Sequence, residues 1–172
     1  MLKVSKESNA IYHDQYLGYT WIKVFSHHVD GGMFGYDDRI NEPNNWNADD
    51  PDALRYSILY RMEKYRKNGV FHLRICFPDY TEDEFPCNEW EQSSNFVHEK
   101  EITGFKAIRL TYPKCWGDKD FVGLYKDVTT YWTVTCYSWY FSFGMTTLWG
   151  RTWEGAPGKR WIPETTVWIA AG

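Results

Sequence analysis

Apolar and polar residues alternate most regularly between Phe71 and Phe77. Every second position in this stretch is apolar, at Phe71, Leu73, Ile75 and Phe77. The positions between them carry His72, Arg74 and Cys76. A period of two places the two sets on opposite faces of a β-strand. Pro78 follows, and proline cannot continue the interior of a strand. The pattern therefore predicts a half-buried strand that ends in a loop.

Four further segments have strand-like patterns. They are residues 19–25, 104–112, 131–143 and 165–170. In the first segment, Ile22 and Val24 are predicted to face away from Trp21, Lys23 and Phe25. In the third segment, the alternation changes parity between Cys136 and Tyr137, which predicts a β-bulge or a bend.

One segment, residues 51–68, has the features of an α-helix. Asp50 suits the N-cap and Pro51 suits the first helical position. Apolar residues recur at helical spacing and are predicted to face the core, at Leu54, Ile58, Met62 and Tyr65. Asn68-Gly69 supplies a left-handed stop.

Length and composition indicate one β-rich domain. The chain has 172 residues, which is enough for one full hydrophobic core. One α-helix among several strands predicts a mainly β, sandwich-like fold, with residues 1–18 as an irregular lead-in and 19–172 as the domain. Aromatic residues make up 19% of the chain, which suits either an all-β core or flat binding surfaces.

Charge and hydropathy exclude two kinds of partner. The formal net charge is -4, so the chain lacks the basic character that nucleic acid or an anionic membrane would require. No apolar run approaches the roughly 20 residues of a membrane-spanning helix.

Residues 1–7 lack the apolar segment of a signal peptide. This predicts either a cytosolic protein or the mature or trimmed form of a secreted one.

Four cysteines allow three disulfide connectivities. A Cys76–Cys87 bridge would close a short loop, and Cys115 would then pair with Cys136. The other pairings remain open, and in a cytosolic protein all four could be buried thiols. No Cys-x-x-Cys pair is present, which argues against a zinc ribbon or a thioredoxin-like redox site.

Carboxylates are concentrated in the loop after Pro78. Because Ca²⁺ binds several oxygen ligands, the four loop carboxylates are candidate calcium ligands, Asp79, Glu82, Asp83 and Glu84. Their spacing does not match an EF-hand, and a solvated acidic loop is the alternative. His27 and His28 with Asp30 form a second candidate metal or acid–base group, against a simple polar strand end. Adjacent strand residues point to opposite faces, so both histidines could bind one ion only where the strand ends.

Two groups of residues are candidate ligand sites. Glu89 and Glu91 flank Trp90, and in a strand the two carboxylates share one face. They could bind sugar hydroxyls while the indole stacks on the ring, or serve a glycosidase, and a structural role is the alternative. The second group surrounds a Gly/Pro-rich loop and comprises Trp149, Arg151 and Trp153.

Several segments resemble a module of secreted marine-invertebrate proteins, over roughly residues 20–170. They are Trp21–His27, Gly31–Phe34, Asp49–Ala53, Leu73–Pro78, Cys87–Asn95 and Ile102–Phe105. The Trp-x-x-Val and Gly-Gly-x-Phe elements are also similar to fibrinogen-like and intelectin-type lectin domains. The cysteine and calcium-loop pattern of those lectins is not visible here. The resemblance implies an extracellular or matrix setting and favours disulfide bridges over free thiols.

The residues and the resemblance together favour two functions. The first is a non-catalytic extracellular recognition module, lectin-like, that binds a glycan or an extracellular protein. The second is a structural component of a secreted matrix that associates with its own copies. Neither a Gly-x-Ser-x-Gly nucleophile motif nor a Gly-rich phosphate loop is present, and both hypotheses are non-enzymatic.

Overall fold

A computed structural model describes residues 11–14, 18–28, 46–114, 120–126, 132–134 and 164–171, with the backbone alone at 11–14, 126 and 132–134. Nine strands lie within these ranges: β1 (Ile11–Asp14), β2 (Tyr19–His28), β3 (Arg55–Ser57), β4 (Phe71–Cys76), β5 (Cys87–Gln92), β6 (Lys106–Leu110), β7 (Leu124–Lys126), β8 (Trp132–Val134) and β9 (Glu164–Ala170). A 3-10 helix spans Leu59–Tyr65.

The strands form one large antiparallel sheet and a separate β7–β8 hairpin. The large sheet has the order β1-β2-β9-β4-β5-β6, and β3 pairs with β2 outside this path. The mainly β prediction is confirmed, and the strand predictions at 19–25, 71–77, 104–112 and 165–170 correspond to β2, β4, β6 and β9. Only β8 of the predicted 131–143 strand lies within the described residues, so the bulge predicted after Cys136 lies outside them.

Residues 51–68 differ from the α-helix that the sequence predicted. The backbone turns through 51–54, enters β3, and only then forms the short 3-10 helix. Leu54, predicted for the core, is 48% exposed, whereas Met62 is 1% exposed. The reason is tertiary: pairing with β2 places Tyr56 and Ser57 in the interior, and this burial outweighs the local cap signals at Asp50 and Pro51.

Two smaller expectations also need correction. Strand β1 lies within residues 1–18, which the sequence predicted as irregular, and it pairs with β2. The pairing of β2 with β9 shifts register between Lys23 and Phe25. This bulge leaves both Val24 and Phe25 fully buried, so the strict alternation predicted for that strand does not hold.

The hydrophobic core covers one face of the sheet. Alternate residues of β4, Phe71, Leu73 and Ile75, are at most 1% exposed, as the sequence predicted. In β5, Trp90 lies opposite Leu73 and is fully buried on the same face. Strand β9 adds Val167 and Ile169 to the cluster. The side chains between these positions point to the other face of the sheet.

A buried amide, Gln92, joins the end of β5 to β7. Its Nε2 group donates to the backbone oxygens of Ser94 (2.8 Å) and Leu124 (3.0 Å). Its Oε1 atom accepts from Trp90 Nε1 (2.8 Å) and from the Leu124 N–H (3.0 Å). A Cβ atom at Gly123, whose φ is +106°, would lie 2.7 Å from that Oε1 atom. The side chain of Gln92 therefore pairs polar groups that the core would otherwise leave without partners.

The 3-10 helix is held against the sheet through Glu63. Arg66 donates from Nε (2.9 Å) and Nη2 (2.8 Å) to the two carboxylate oxygens, and Asn95 Nδ2 donates to Oε1 (2.9 Å). The hydrogen bonds from Arg66 are the main cause that lowers the pKa of Glu63 from 4.5 to about 2. The guanidinium of Arg66 also lies 4.1 Å from the ring centroid of Phe71. The helix end is thus joined both to β4 and to the residues that follow β5.

Candidate functional site

The face of the sheet opposite the core, called here the polar face, carries a row of charged and aromatic side chains. The register places one such residue of each of five neighbouring strands side by side, Lys23, Trp168, Arg74, Glu89 and Arg109. The row crosses β2, β9, β4, β5 and β6 in turn. Side chains that are opposite each other on one face are close enough to interact.

Glu89 is the buried centre of this row. Its Oε2 atom accepts a hydrogen bond from Arg74 Nε (3.0 Å), and its Oε1 atom lies 2.6 Å from His72 Nε2. The side chain of Glu89 is only 3% exposed. Burial would raise its pKa, but the hydrogen bond from His72 and the charge of Arg74 together outweigh burial and lower it. Glu89 is therefore an ionised, internally paired carboxylate.

Aromatic rings hold the cationic side chains of the polar face in place. The Arg74 guanidinium carbon lies 4.1 Å from the ring centroid of Trp21 and 5.1 Å from that of Phe85. The guanidinium carbon of Arg109, on β6, lies 4.2 Å from the ring centroid of Phe85. The His72 ring meets Trp21 edge-on at 4.9 Å. Cation–π contacts of this kind fix the positions of the two guanidinium groups.

A groove of about 560 Å³ opens on this face and is called here the polar groove. Strands β2, β4 and β9, the loop between β4 and β5, and the first residue of β5 form it. Its lining residues are Trp21, Lys23, Arg74, Cys76, Pro78, Phe85, Pro86, Cys87, Glu164, Thr166 and Trp168. It combines aromatic surface with a few charged and hydroxyl groups. That is the usual composition of a small-molecule site.

Trp168 is a half-buried aromatic ring in the polar groove, and its orientation is fixed. Its Nε1–H group donates to Thr166 Oγ1 (3.0 Å), and Lys23 Nζ lies 5.4 Å from its ring centroid. Lys23 is held in turn by donation to the Pro51 backbone oxygen (3.3 Å). An indole that is held in this way presents a flat surface at little further cost in conformational entropy.

A smaller pocket of about 350 Å³ lies on the same sheet, and Glu91 is part of its lining. The other lining residues are Tyr19, Tyr65, Lys67, Asn68, Val70, His72 and Ala170. His72 thus lines this pocket while it also contacts Glu89. The two carboxylates that the sequence singled out share the polar face, as expected, but only Glu91 reaches a pocket wall.

The sequence prediction of Trp90 as a ligand-binding residue is wrong. The residue is fully buried on the core face, and its Nε1–H group donates to Gln92. Strand alternation separates it from Glu89 and Glu91, so the three side chains do not form one site. Glu89 is paired internally, whereas Glu91 remains a candidate. Trp149, Arg151 and Trp153 lie outside the described residues.

The four acidic loop residues do not assemble into a calcium site. Asp79, Glu82 and Glu84 are exposed, and Asp83 accepts a hydrogen bond from the Tyr112 hydroxyl (2.8 Å). Within the part of the chain that the structure describes, ligand-capable groups converge instead at His28, Asp79 and Glu164, all within 4.8 Å of one another. Of the four predicted loop ligands, Asp79 alone meets other ligand-capable groups in the described residues, and one of these is His28, which the sequence also marked as a candidate. The partner predicted for His28, Asp30, lies outside the described residues.

The Cys76–Cys87 disulfide is confirmed. The two residues lie opposite each other at the end of the β4–β5 pair that the acidic loop connects, and their Cα atoms are 4.1 Å apart. The bridge closes the base of the acidic loop and forms part of the wall of the polar groove. Cys115 and Cys136 lie outside the described residues.

The chain matches no protein-family model, no curated protein and no solved structure. Within the described residues, no helix is long and apolar enough to span a membrane.

Sequence reasoning missed Trp168, Lys23 and Glu164 as residues of one site. The pairing of β2 with β9 brings them together from opposite ends of the described chain. No local spacing reports such a pairing. The one sequence signal that pointed toward this site was the alternation within 165–170, which predicts that Trp168 lies on the face opposite Val167 and Ile169.

Proposed function

We propose that this chain is a non-catalytic recognition module of an extracellular protein and that it binds glycans in the polar groove. The observation that supports this best is the half-buried Trp168 ring, held in orientation by Thr166 and Lys23 within a groove of about 560 Å³. The apolar face of a sugar ring stacks on an indole of this kind, because both surfaces are flat and apolar at the contact.

Polar groups around the indole suit the hydroxyl groups of a sugar. Lys23 and Arg74 supply N–H donors, and the Glu164 carboxylate supplies acceptors. Thr166, whose oxygen already accepts from Trp168, has a hydroxyl hydrogen of its own to donate. The groove therefore offers both donors and acceptors beside a stacking surface, which fits a neutral or acidic saccharide better than a purely apolar ligand.

One observation supports the non-catalytic part of the proposal, and two support the extracellular part. Glu89 has a lowered pKa and is paired with Arg74, whereas a glycosidase general acid requires a raised one. The Cys76–Cys87 disulfide suits an oxidising compartment. The resemblance of Cys87–Asn95 to a segment of secreted modules points to the same setting.

A glycan array tests the proposal with matched aromatic variants. We expect the wild type to bind a defined set of glycans and Trp168→Ala to lose that binding. Tyr60→Ala removes an exposed ring from the 3-10 helix, outside the groove lining, and should bind as the wild type does. Circular dichroism would establish that both variants are folded. Absence of binding by the wild type, or equal binding by a folded Trp168→Ala variant, would contradict the proposal.

Self-association in a secreted matrix is the second candidate, and strand β6 is the observation that favours it. It lies at one end of the described sheet order, and its first four residues are exposed, including Ile108 at 45%. An exposed edge strand can pair with another chain. Sedimentation velocity at increasing concentration tests this, with Ile108→Lys as the variant that should reduce association. A wild type that stays monomeric throughout would contradict it.

A further inference from the structure

Three ligand-capable side chains meet beyond one end of the polar groove, in an arrangement that the sequence did not reveal. His28 is the last residue of β2, and Glu164, opposite it in register, is the first residue of β9. Asp79 comes from the loop that follows β4. The imidazole nitrogen and the two carboxylate oxygens lie within 4.8 Å of one another.

The backbone that carries these side chains is well fixed. His28 N–H donates to the Leu54 oxygen (2.8 Å) at the end of its strand. The turn that carries Asp79 is closed by hydrogen bonds from Phe77 N–H to the Pro86 oxygen (2.8 Å) and from Tyr80 N–H to the Phe77 oxygen (3.0 Å). The Cys76–Cys87 disulfide lies directly beside this turn. The three groups therefore come together through sheet pairing and a braced turn rather than through one acidic stretch.

We propose that His28, Asp79 and Glu164 bind a divalent transition-metal ion of the Zn²⁺ type. Zinc takes imidazole nitrogen and carboxylate oxygen at about 2.0–2.2 Å, and its ligand atoms in tetrahedral geometry lie about 3.4 Å apart. The three donor atoms already lie within 4.8 Å of one another, so a shift of about 1.4 Å or less in each separation would bring them to that spacing. Calcium needs six to eight oxygen ligands, and two carboxylates with one nitrogen do not supply them.

Three protein ligands leave at least one coordination position open on a four-coordinate ion. Glu164 also lines the polar groove, as does Pro78 beside Asp79. The open position therefore lies close to the groove, where an oxygen of a bound molecule or a water completes the coordination. The metal site itself does not depend on the glycan proposal, since its three ligands are all residues of the chain.

Calorimetric titration of the untagged protein with Zn²⁺ alone tests the site. We expect binding that is weakened more than about 10-fold by Asp79→Ala and by Glu164→Gln, because even outer-shell changes cause losses of that order. Glu84→Ala removes an exposed carboxylate of the same loop and should change the affinity less than about twofold. Asp79 is exposed, so its replacement should leave the fold intact, and circular dichroism would verify this.

Thermal melting gives an independent measurement. At the same Zn²⁺ concentration, the midpoint of the wild type should rise more than that of Asp79→Ala, because an ion that binds only the folded state stabilises it more when it binds more tightly. Three results would overturn the proposal: no Zn²⁺ binding by the wild type, the same affinity in wild type and both ligand variants, or a rise with Ca²⁺ equal to that with Zn²⁺. None of these results depends on whether a glycan binds.

Discussion

Replacing Gln92 by Glu tests the buried amide that joins β5 to β7. The change exchanges one NH₂ group for an oxygen and leaves the shape of the side chain the same. The amide nitrogen of Gln92 faces the backbone oxygens of Ser94 and Leu124 at 2.8 and 3.0 Å. In the variant, an oxygen without a hydrogen would face two acceptors. The hydrogen bonds that the other side-chain oxygen accepts from Trp90 Nε1–H and from the Leu124 N–H would remain.

The expected loss of stability depends on pH. Near pH 7 an ionised carboxylate at this buried position would be repelled by both carbonyl oxygens, and we expect a loss of about 3–5 kcal/mol. Burial and repulsion raise the pKa of the introduced carboxyl above its unfolded value of about 4.3. The penalty is therefore small below that pH and grows as the pH rises. Near pH 4 we expect about 1–2 kcal/mol, because a protonated carboxyl donates one hydrogen where the amide donates two.

Urea denaturation of both proteins at pH 4 and pH 7 measures this difference. Asn68→Asp introduces the same charge at an exposed turn and serves as the control, with an expected change below about 0.5 kcal/mol at either pH. A loss for Gln92→Glu that is equal at the two pH values would refute the role assigned to the facing carbonyls. A loss below about 1 kcal/mol at pH 7 would refute the burial of this amide.

Three other substitutions are expected to lower the stability of the fold. Glu89→Gln leaves Arg74 without its buried carboxylate and should cost about 2–4 kcal/mol in urea denaturation at neutral pH. The fold lowers the pKa of Glu89, so the stability that its ionised carboxylate contributes is present above the unfolded-state pKa and is lost as the pH falls through the folded-state pKa. When the pH is lowered from about 6 to about 3, the variant should therefore lose less stability than the wild type. Replacing Cys76 and Cys87 together by Ala opens a loop of sequence separation 11 and should cost about 3 kcal/mol, measured by calorimetry; no change in midpoint would show the bridge to be dispensable. Gly123→Ala should cost about 1–3 kcal/mol in the urea assay, because φ is +106° and the added carbon meets a buried amide oxygen, and a neutral result would contradict that close contact.

The sequence predicted those parts of the fold that strand periodicity specifies. The alternation in β4 gave its buried face correctly, and the Cys76–Cys87 pair was among the bridges proposed. The prediction of an α-helix over residues 51–68 was wrong, because good local helix signals compete with pairing to a strand that is distant in sequence. Burial of Tyr56 on pairing with β2 favours the strand over the helix, and the local sequence pattern does not indicate this burial.

The candidate site was harder to predict than the fold. Trp90 attracted attention as an aromatic residue between two carboxylates, although strand alternation itself places it on the opposite face. The groove and the metal-ligand cluster depend on the register of β2 with β9, which brings His28 beside Glu164. Local composition can identify a loop rich in carboxylates. It cannot identify which carboxylate meets a histidine from another strand.

The order of strands in the sheet has a consequence for synthesis of the protein. Strand β9, the last of the described strands to leave the ribosome, lies between β2 and β4. Until it arrives, one edge of β2 and one edge of β4 lack their partner, and such edges can pair with other nascent chains. Contacts of such long sequence separation also form slowly. We therefore expect the newly made chain to need protection from aggregation during the interval in which most of the sheet already exists but β9 has not yet been made.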